Sequence, residues 1–269
     1  MPGTNLTYYG LVALIALLPS GLLCLKQGER RVVPYWILLA VAVSGPTLMA
    51  WILLAGGWSV NLSTTLWVTI AATMGLFFIV ALVLKEAWRL TPLVIIYMVL
   101  LGLLAFVWQQ APVPSIRADA PQVWVDLHIT ISVFTYAFAT LAALAALSAF
   151  LQERALKSKR PTALTHKLPS VSDSDRLLVS LLGAAAAVLA LGLLSGMTTL
   201  YLETGRFLVL DHKTVLSLAA FVVTVGIIVA HLKTGMRGRR AARIVLGAYL
   251  LLTLGFPGVK FVTEVLLKT

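Results

Sequence analysis

The sequence is short of charge, and above all of negative charge. Only 12% of its 269 residues are charged, whereas 60% are hydrophobic and the mean hydropathy is +0.97. Soluble globular domains carry about twice that share of charged residues. A surface so poor in polar groups cannot be covered by water, so lipid is the solvent for most of this chain.

Cysteine is almost absent, which excludes two kinds of chemistry. The one cysteine, Cys24, has no second thiol with which to form an internal disulfide. No Cys-x-x-Cys-His segment occurs, so covalent haem attachment is excluded as well. We expect Cys24 to be a small buried or lipid-facing residue near the end of the first apolar run.

What the sequence does contain is eight long apolar runs, and a membrane-spanning helix needs about 20 such residues. The first run has no basic residue before it, so we expect it to be retained rather than cleaved as a signal peptide. The sequence therefore predicts an all-α integral membrane protein, a bundle of eight transmembrane helices over roughly Tyr8–Leu25, Val32–Leu54, Leu66–Leu84, Leu93–Trp108, Val123–Leu151, Leu177–Leu200, Thr214–Leu232 and Ile244–Val262.

The positive charges predict the orientation of the bundle. Sixteen of the 21 Lys and Arg lie in alternate connections, and the other side carries only Arg117, Arg206, Lys213, Lys260 and Lys268. Because basic residues stay in the cytoplasm, both termini are expected outside. The net charge of +11 then reflects topology and attraction to anionic lipid, and we expect no nucleic-acid partner.

The connections are too short to hold a soluble domain, so residues 1–269 are predicted to form a single membrane domain. The motif residues described below all lie in the second half of the chain. We therefore expect the helices of residues 122–269 to form the functional core, and those of residues 1–110 to support it. The longest polar connection is predicted over residues 157–175.

Histidines are the candidate metal ligands of this chain, and there are four. His128 is expected about two turns inside the fifth span, and His212 opens the seventh span with Asp211 as its N-cap. The positive end of a helix favours neutral imidazole, the form that ligates metal. Both side chains can approach one outer-leaflet site and clamp a haem iron; the alternative is a hydrogen-bonded packing pair between helices.

The two remaining histidines have simpler interpretations. His166 lies in a basic loop and is expected to be solvated. His231 follows His212 by nineteen residues, which places it about 28 Å away along a helix, so the two cannot share an iron. Its expected role is that of an interfacial histidine beside Lys233, with ligation as the alternative.

Four segments of the second half resemble a known family. They read Val-Asp-Leu-His-Ile-Thr-Ile-Ser-Val-Phe-Thr-Tyr-Ala (125–137), Asp-His-Lys-Thr (211–214), Gly-Met-Arg-Gly-Arg-Arg-Ala-Ala (235–242) and Gly-Val-Lys-Phe (258–261). In this order and spacing they resemble the cytochrome c assembly superfamily of membrane haem handlers, the CcsA and CcmC type. The short YpjD-like branch, related to the HemX proteins, is most similar, and the resemblance covers about Trp124 to Val265.

The resemblance implies a multi-pass protein of the bacterial cytoplasmic (inner) membrane, connected with cytochrome c assembly or haem homeostasis. Its implied partners are haem b, bound noncovalently, membrane lipid, and another membrane protein of cytochrome maturation. The implied site places the iron between His128 and His212. By position, Arg206 and Lys213 are the cations available to the propionates, and Tyr201 is the available hydroxyl. His231 resembles the histidine of a second haem within the membrane.

The outer loop of residues 198–210 contains no tryptophan, whereas the family's haem lyases have a tryptophan-rich loop there. We therefore expect this chain not to be a complete haem lyase by itself, and not to act as an enzyme. Two other functions are open: a cofactor-free regulatory or scaffold protein that acts through a partner, and a small transporter that relays protons through interior histidines. The transporter requires more intramembrane acids than Asp126 and Asp211, which both lie at an edge.

Overall fold

The structure, a computed structural model, describes residues 2–26, 33–55, 61–109, 121–209, 212–234 and 238–254. Every regular element within these ranges is helical, as predicted. The helices are α1 (Pro2–Lys26), α2 (Val33–Leu54), α3 (Leu62–Val83), α4 (Thr91–Val107), α5 (Gln122–Ser158), α6 (Ala163–Lys167), α7 (Val171–Thr204), α8 (His212–Thr234) and α9 (Arg239–Thr253), with a short 3-10 helix, Ala87–Leu90, before α4.

Seven of the eight predicted spans are found as helices long and apolar enough to cross a bilayer: α1 to α5, α7 and α8. The chain is therefore a multi-pass membrane protein. The eighth apolar run begins in α9, but its remainder after residue 254 lies outside the described residues, as do both ends of the chain. The count of eight spans and the outer location of both termini therefore stay predictions.

The polar connection predicted over residues 157–175 is shorter than expected, and this prediction was wrong in extent. α5 continues to Ser158 and α7 begins at Val171, so the connection runs from 159 to 170 and contains the one-turn helix α6. The last turns of α5 are polar yet helical because Glu153 pairs with Lys157 at i,i+4, with 2.6 Å between carboxylate and ammonium. Ser170 begins α7 by accepting the backbone N–H of Asp173. Hydropathy alone marks only the apolar part of such helices.

The helices pack in two groups of four, which follow the two halves of the chain. In the first group α1 packs against α2 and α4, and α3 packs against α2 and α4. In the second, α5 packs against α7 and α9, and α8 packs against the same two helices. α5 and α8 thus occupy opposite corners of the second group, with α7 and α9 between them. The contact of α3 with α5 joins the groups.

The most extensive interface in the molecule is that of α5 with α7. Small side chains allow helices to approach closely in a membrane, and α5 buries a series of alanines completely or almost so: Ala137, Ala142, Ala145, Ala146 and Ala149. The interface also contains a buried hydrogen bond between the hydroxyls of Ser148 and Ser174, 2.9 Å apart. This close packing fixes the position of α5 residues relative to α7, and with it the environment of His128.

Candidate functional site

His128 lies two turns inside α5, as predicted, and it faces another helix. Its ring is half-buried, and Nδ1 lies 2.9 Å from the hydroxyl of Ser195 on α7. The ring also lies over Gly196, where a β-carbon would be 3.0 Å from His128 Cε1. The His128 side chain therefore points into the helix bundle and toward α7.

The hydrogen bonds of Ser195 link the proton position on His128 to the rotation of one hydroxyl. The Ser195 side chain is buried, and its hydroxyl lies within hydrogen-bond distance of the Gly192 carbonyl, at 3.0 Å, and of His128 Nδ1. With the hydroxyl hydrogen on that carbonyl, Ser195 accepts a hydrogen from Nδ1 of His128. A neutral imidazole with its hydrogen on Nδ1 has its lone pair on Nε2, the form in which Nε2 ligates a metal. Metal-ligating histidines usually donate their other N–H in this way.

Two glycines of α7, Gly192 and Gly196, lie where α5 packs on this helix. A β-carbon at Gly192 would meet Ile131 and Thr135 of α5 at 3.6 and 3.7 Å, which is ordinary van der Waals contact. At Gly196 the 3.0 Å distance to the His128 ring is too short for a side chain without movement of the ring. Gly196 is therefore the position on α7 that the His128 ring requires to be small.

His212 is the first residue of α8, so the prediction that it opens this helix is confirmed. Here His212 and Lys213 are described in their backbone only. Because α5 and α8 occupy opposite corners of the second group, their interior faces look toward each other across it. The predicted proximity of His128 and His212, close enough to bind one iron, stays a prediction. The predicted role of Lys213 also stays a prediction.

Tyr201 and Arg206 lie together at the end of α7 nearest to the start of α8. The Tyr201 ring stacks on Phe207, with centroids 4.2 Å apart and planes 11° from parallel, and both rings are largely exposed. Arg206 is exposed, and its backbone N–H donates to the Thr204 hydroxyl at 3.4 Å. These residues form an exposed surface with an aromatic face and a cation, and contact with a cofactor is untested.

His231 and His166 lie well away from this end of the bundle. His231 is half-buried in the last turn of α8, and Lys233 beside it is exposed. The location at a helix end agrees with the predicted interfacial histidine, whereas its ligation of a second haem stays untested. His166 is exposed on α6, as predicted for a solvated residue.

A tyrosine cluster at the junction of the two groups was not predicted. The hydroxyl of Tyr249 on α9 lies 2.6 Å from that of Tyr97 on α4 and 3.1 Å from that of Tyr136 on α5. Thr140 and Thr253 add bonds at 2.9 Å to Tyr249 and 3.2 Å to Tyr136. Tyr136 belongs to the segment 125–137. The cluster could not be predicted from that segment, because Tyr97 and Tyr249 are distant from it in sequence.

A small cavity lies next to this cluster, between the four helices of the second group. Its volume is ≈ 10 Å³, the space of about one water molecule. Thr135, Thr224 and Tyr249 contribute the polar part of its lining, from α5, α8 and α9. The interior of this group is thus closely packed at mid-depth.

Comparison with known proteins gives a consistent result over nearly the whole chain. A family model described as cytochrome C assembly protein matches residues 37–267. The chain is 53% identical over 264 residues to an uncharacterised 28.8 kDa protein of Azospirillum brasilense, which covers 96% of this chain and 97% of that protein. It is 25% identical over 256 residues to the inner membrane protein YpjD of Escherichia coli K12, with 94% of each covered. The family match begins in α2, so the similarity extends further toward the N-terminus than the four motifs, which start near Trp124.

Proposed function

Because the chain belongs to the cytochrome c assembly protein family, we propose that it is a haem-handling protein of the inner membrane, with His128 as an iron ligand. The family supports a role connected with cytochrome c assembly or with haem homeostasis. The inner-membrane location is supported by its similarity to the inner membrane protein YpjD.

One observation carries the ligand role of His128. Its Nδ1 lies 2.9 Å from the buried Ser195 hydroxyl, which can accept the Nδ1 hydrogen and leave the lone pair on Nε2. A ligand held in this way loses little freedom when it meets a metal. His128 would therefore hold haem iron, which binds neutral imidazole, through Nε2.

The second position is assigned to His212, because α8 begins at this residue on the corner opposite α5. Arg206 and Lys213 would bind propionates, since charge-assisted hydrogen bonds to carboxylates are the strongest that these side chains make. The exposed Tyr201 ring, stacked on Phe207, offers an apolar face beside Arg206. In this arrangement the chain holds a haem without covalent attachment, in accord with its lack of a Cys-x-x-Cys-His segment.

The second candidate function is a cofactor-free scaffold that acts through a partner membrane protein. The close packing of the His128 ring on Gly196 favours it, because a histidine that only joins two helices would pack in this way. The two functions differ in whether the protein binds haem at all.

A visible absorption spectrum of the protein, purified in mild detergent and titrated with haem, tests the proposal. We expect a Soret band for the natural protein, a weaker one for His128→Ala and for His212→Ala, and none for the double variant. His166→Ala is the matched control, because it removes an exposed histidine far from the site. A natural protein that binds no haem would support the scaffold instead.

A further inference from the structure

The end of the bundle away from His128 contains a compact group of charges where α5 ends beside the start of α9. Three cations, Lys157, Arg239 and Arg243, lie in one chain of hydrogen bonds that includes the carboxylate of Glu153; we call these four residues the α5–α9 cluster. Each is linked to the next by a hydrogen bond. The cluster carries a net charge of +2, three cations less one carboxylate.

Glu153 organises this cluster with both of its oxygens. One oxygen accepts from the Lys157 ammonium at 2.6 Å, and the other accepts the backbone N–H of Arg239 at 2.8 Å. The second bond caps the N-terminus of α9 with a carboxylate from α5. Arg243 in turn donates from Nε to the carbonyl of Arg239 at 3.3 Å. The carboxylate is thereby used within the protein.

The conformation of Gly238 makes this arrangement depend on glycine. Its φ of 66° and ψ of −141° lie in a region that other residues rarely adopt. A β-carbon there would lie 2.5 Å from the Glu153 oxygen that caps α9. Within the Arg-Gly-Arg-Arg sequence of residues 237–240, the backbone conformation therefore explains the glycine. The arginines require another explanation.

The Arg239 guanidinium is the group in the cluster that lacks an acceptor. Its Cζ lies 5.2 Å from the centre of the Phe150 ring, and its Nε is buried without a hydrogen-bond partner among the residues that the structure describes. A buried charged donor without an acceptor is destabilising. Each oxygen of Glu153 already accepts one donor and the carboxylate offsets only one of the three cations, so the cluster keeps a positive charge that an anion from outside the protein can neutralise.

We propose that the α5–α9 cluster binds the phosphate of an anionic phospholipid headgroup. Guanidinium groups match phosphate geometry, and basic pockets between transmembrane helices recognise anionic headgroups. The cluster lies where the membrane helix α5 ends, at the depth of headgroup phosphates, and its net positive charge favours an anionic lipid over a zwitterionic one. This proposal does not rest on haem binding.

Thermal unfolding of the full-length protein in a neutral detergent tests this site. Phosphatidylglycerol, phosphatidylcholine or inorganic phosphate is added at matched ionic strength. We expect phosphatidylglycerol to raise the unfolding midpoint more than either of the others. Arg239→Gln and Arg243→Gln should each raise the concentration for half of this effect about tenfold, the equivalent of one charge-assisted hydrogen bond.

Arg240→Gln is the matched control. Arg240 is exposed and adjacent in sequence to Arg239, and its replacement by Gln removes the same charge. We expect its response to phosphatidylglycerol to stay within about twofold of the natural protein, since screened surface charges contribute little. An equal loss in all three variants would show diffuse attraction and overturn the proposal, and so would an equal effect of inorganic phosphate. If Arg239→Gln does not fold, Arg243→Gln decides the matter, because Arg243 is exposed.

Discussion

At the scale of single residues, the His128 ring is held by one serine of another helix. The Ser195 hydroxyl lies 2.9 Å from Nδ1, which orients the ring, and in the proposed function it accepts the Nδ1 hydrogen while it donates to Gly192. Such a residue acts on a ligand without touching the metal. Its contribution can be measured separately from that of the ligand.

Ser195→Ala should weaken haem binding about 10- to 100-fold, the usual effect of losing the hydrogen bond behind a ligating histidine. The measurement is a haem titration followed at the Soret band. Ser148→Ala is the control, because it removes another buried hydrogen bond near the α5–α7 interface, to Ser174, at a similar cost of about 1 kcal/mol. Equal haem affinities in the two variants would contradict the positioning role of Ser195.

Gly196→Ala should disturb the site through sterics alone. The new β-carbon would be 3.0 Å from His128 Cε1 and 3.5 Å from Nδ1, so the ring must move. We expect a loss of about 1–3 kcal/mol in the free energy of unfolding, together with weaker haem binding. Gly183→Ala on the same helix is the control, because no side chain or neighbouring helix among the described residues lies within 4 Å of its β-carbon; it should be neutral or stabilising by about 0.5–1 kcal/mol.

At the scale of helices, the tyrosine cluster joins elements from the two groups. Tyr97 on α4 bonds to Tyr249 on α9, and Tyr249 bonds to Tyr136 on α5. The Tyr97–Tyr249 hydrogen bond thus ties the first half of the chain to the last described helix. Apolar surfaces of neighbouring helices can shift along one another in a membrane, whereas a hydrogen bond between two hydroxyls holds the helices at a defined relative position.

A double-mutant cycle of Tyr97→Phe and Tyr249→Phe should show a coupling of about 0.6 kcal/mol, and at most ~1.7 kcal/mol, as is typical of hydrogen bonds between membrane helices. The free energy of unfolding in detergent micelles gives the four values. A cycle that pairs Tyr97→Phe with Tyr201→Phe is the control, because Tyr201 is exposed at the end of α7. Additive effects for Tyr97 and Tyr249 would mean that the bond does not join the groups.

At the scale of the whole molecule, the orientation in the membrane follows from charge and is open to a direct measurement. In a Cys24→Ser background, His166→Cys and Arg206→Cys each place one thiol in an exposed position at opposite ends of the bundle. A membrane-impermeant thiol reagent on intact cells should label Arg206→Cys and leave His166→Cys unlabelled until the membrane is permeabilised. The reverse labelling pattern would show that the predicted topology is wrong.

The sequence by itself determined most of the fold. Hydropathy located seven spans that the structure contains, because a bilayer requires a long apolar segment whatever its neighbours are. It underestimated α5 and α7, whose ends are polar and are held by local bonds such as that of Glu153 with Lys157. The place of His212 in the first turn of α8 was also predicted correctly, whereas its predicted N-cap, Asp211, lies outside the described residues.

The environment of the site was decided by the tertiary structure alone. Ser195 is 67 residues from His128, and Tyr249 is 152 residues from Tyr97. Helix periodicity shows which residues share a face of one helix, but not which helix that face meets. In this protein the choice was made by close packing of small residues, with Gly196 admitting the His128 ring and buried alanines lining α5. Such packing depends on the shapes of both helices together, and no single segment of sequence contains it.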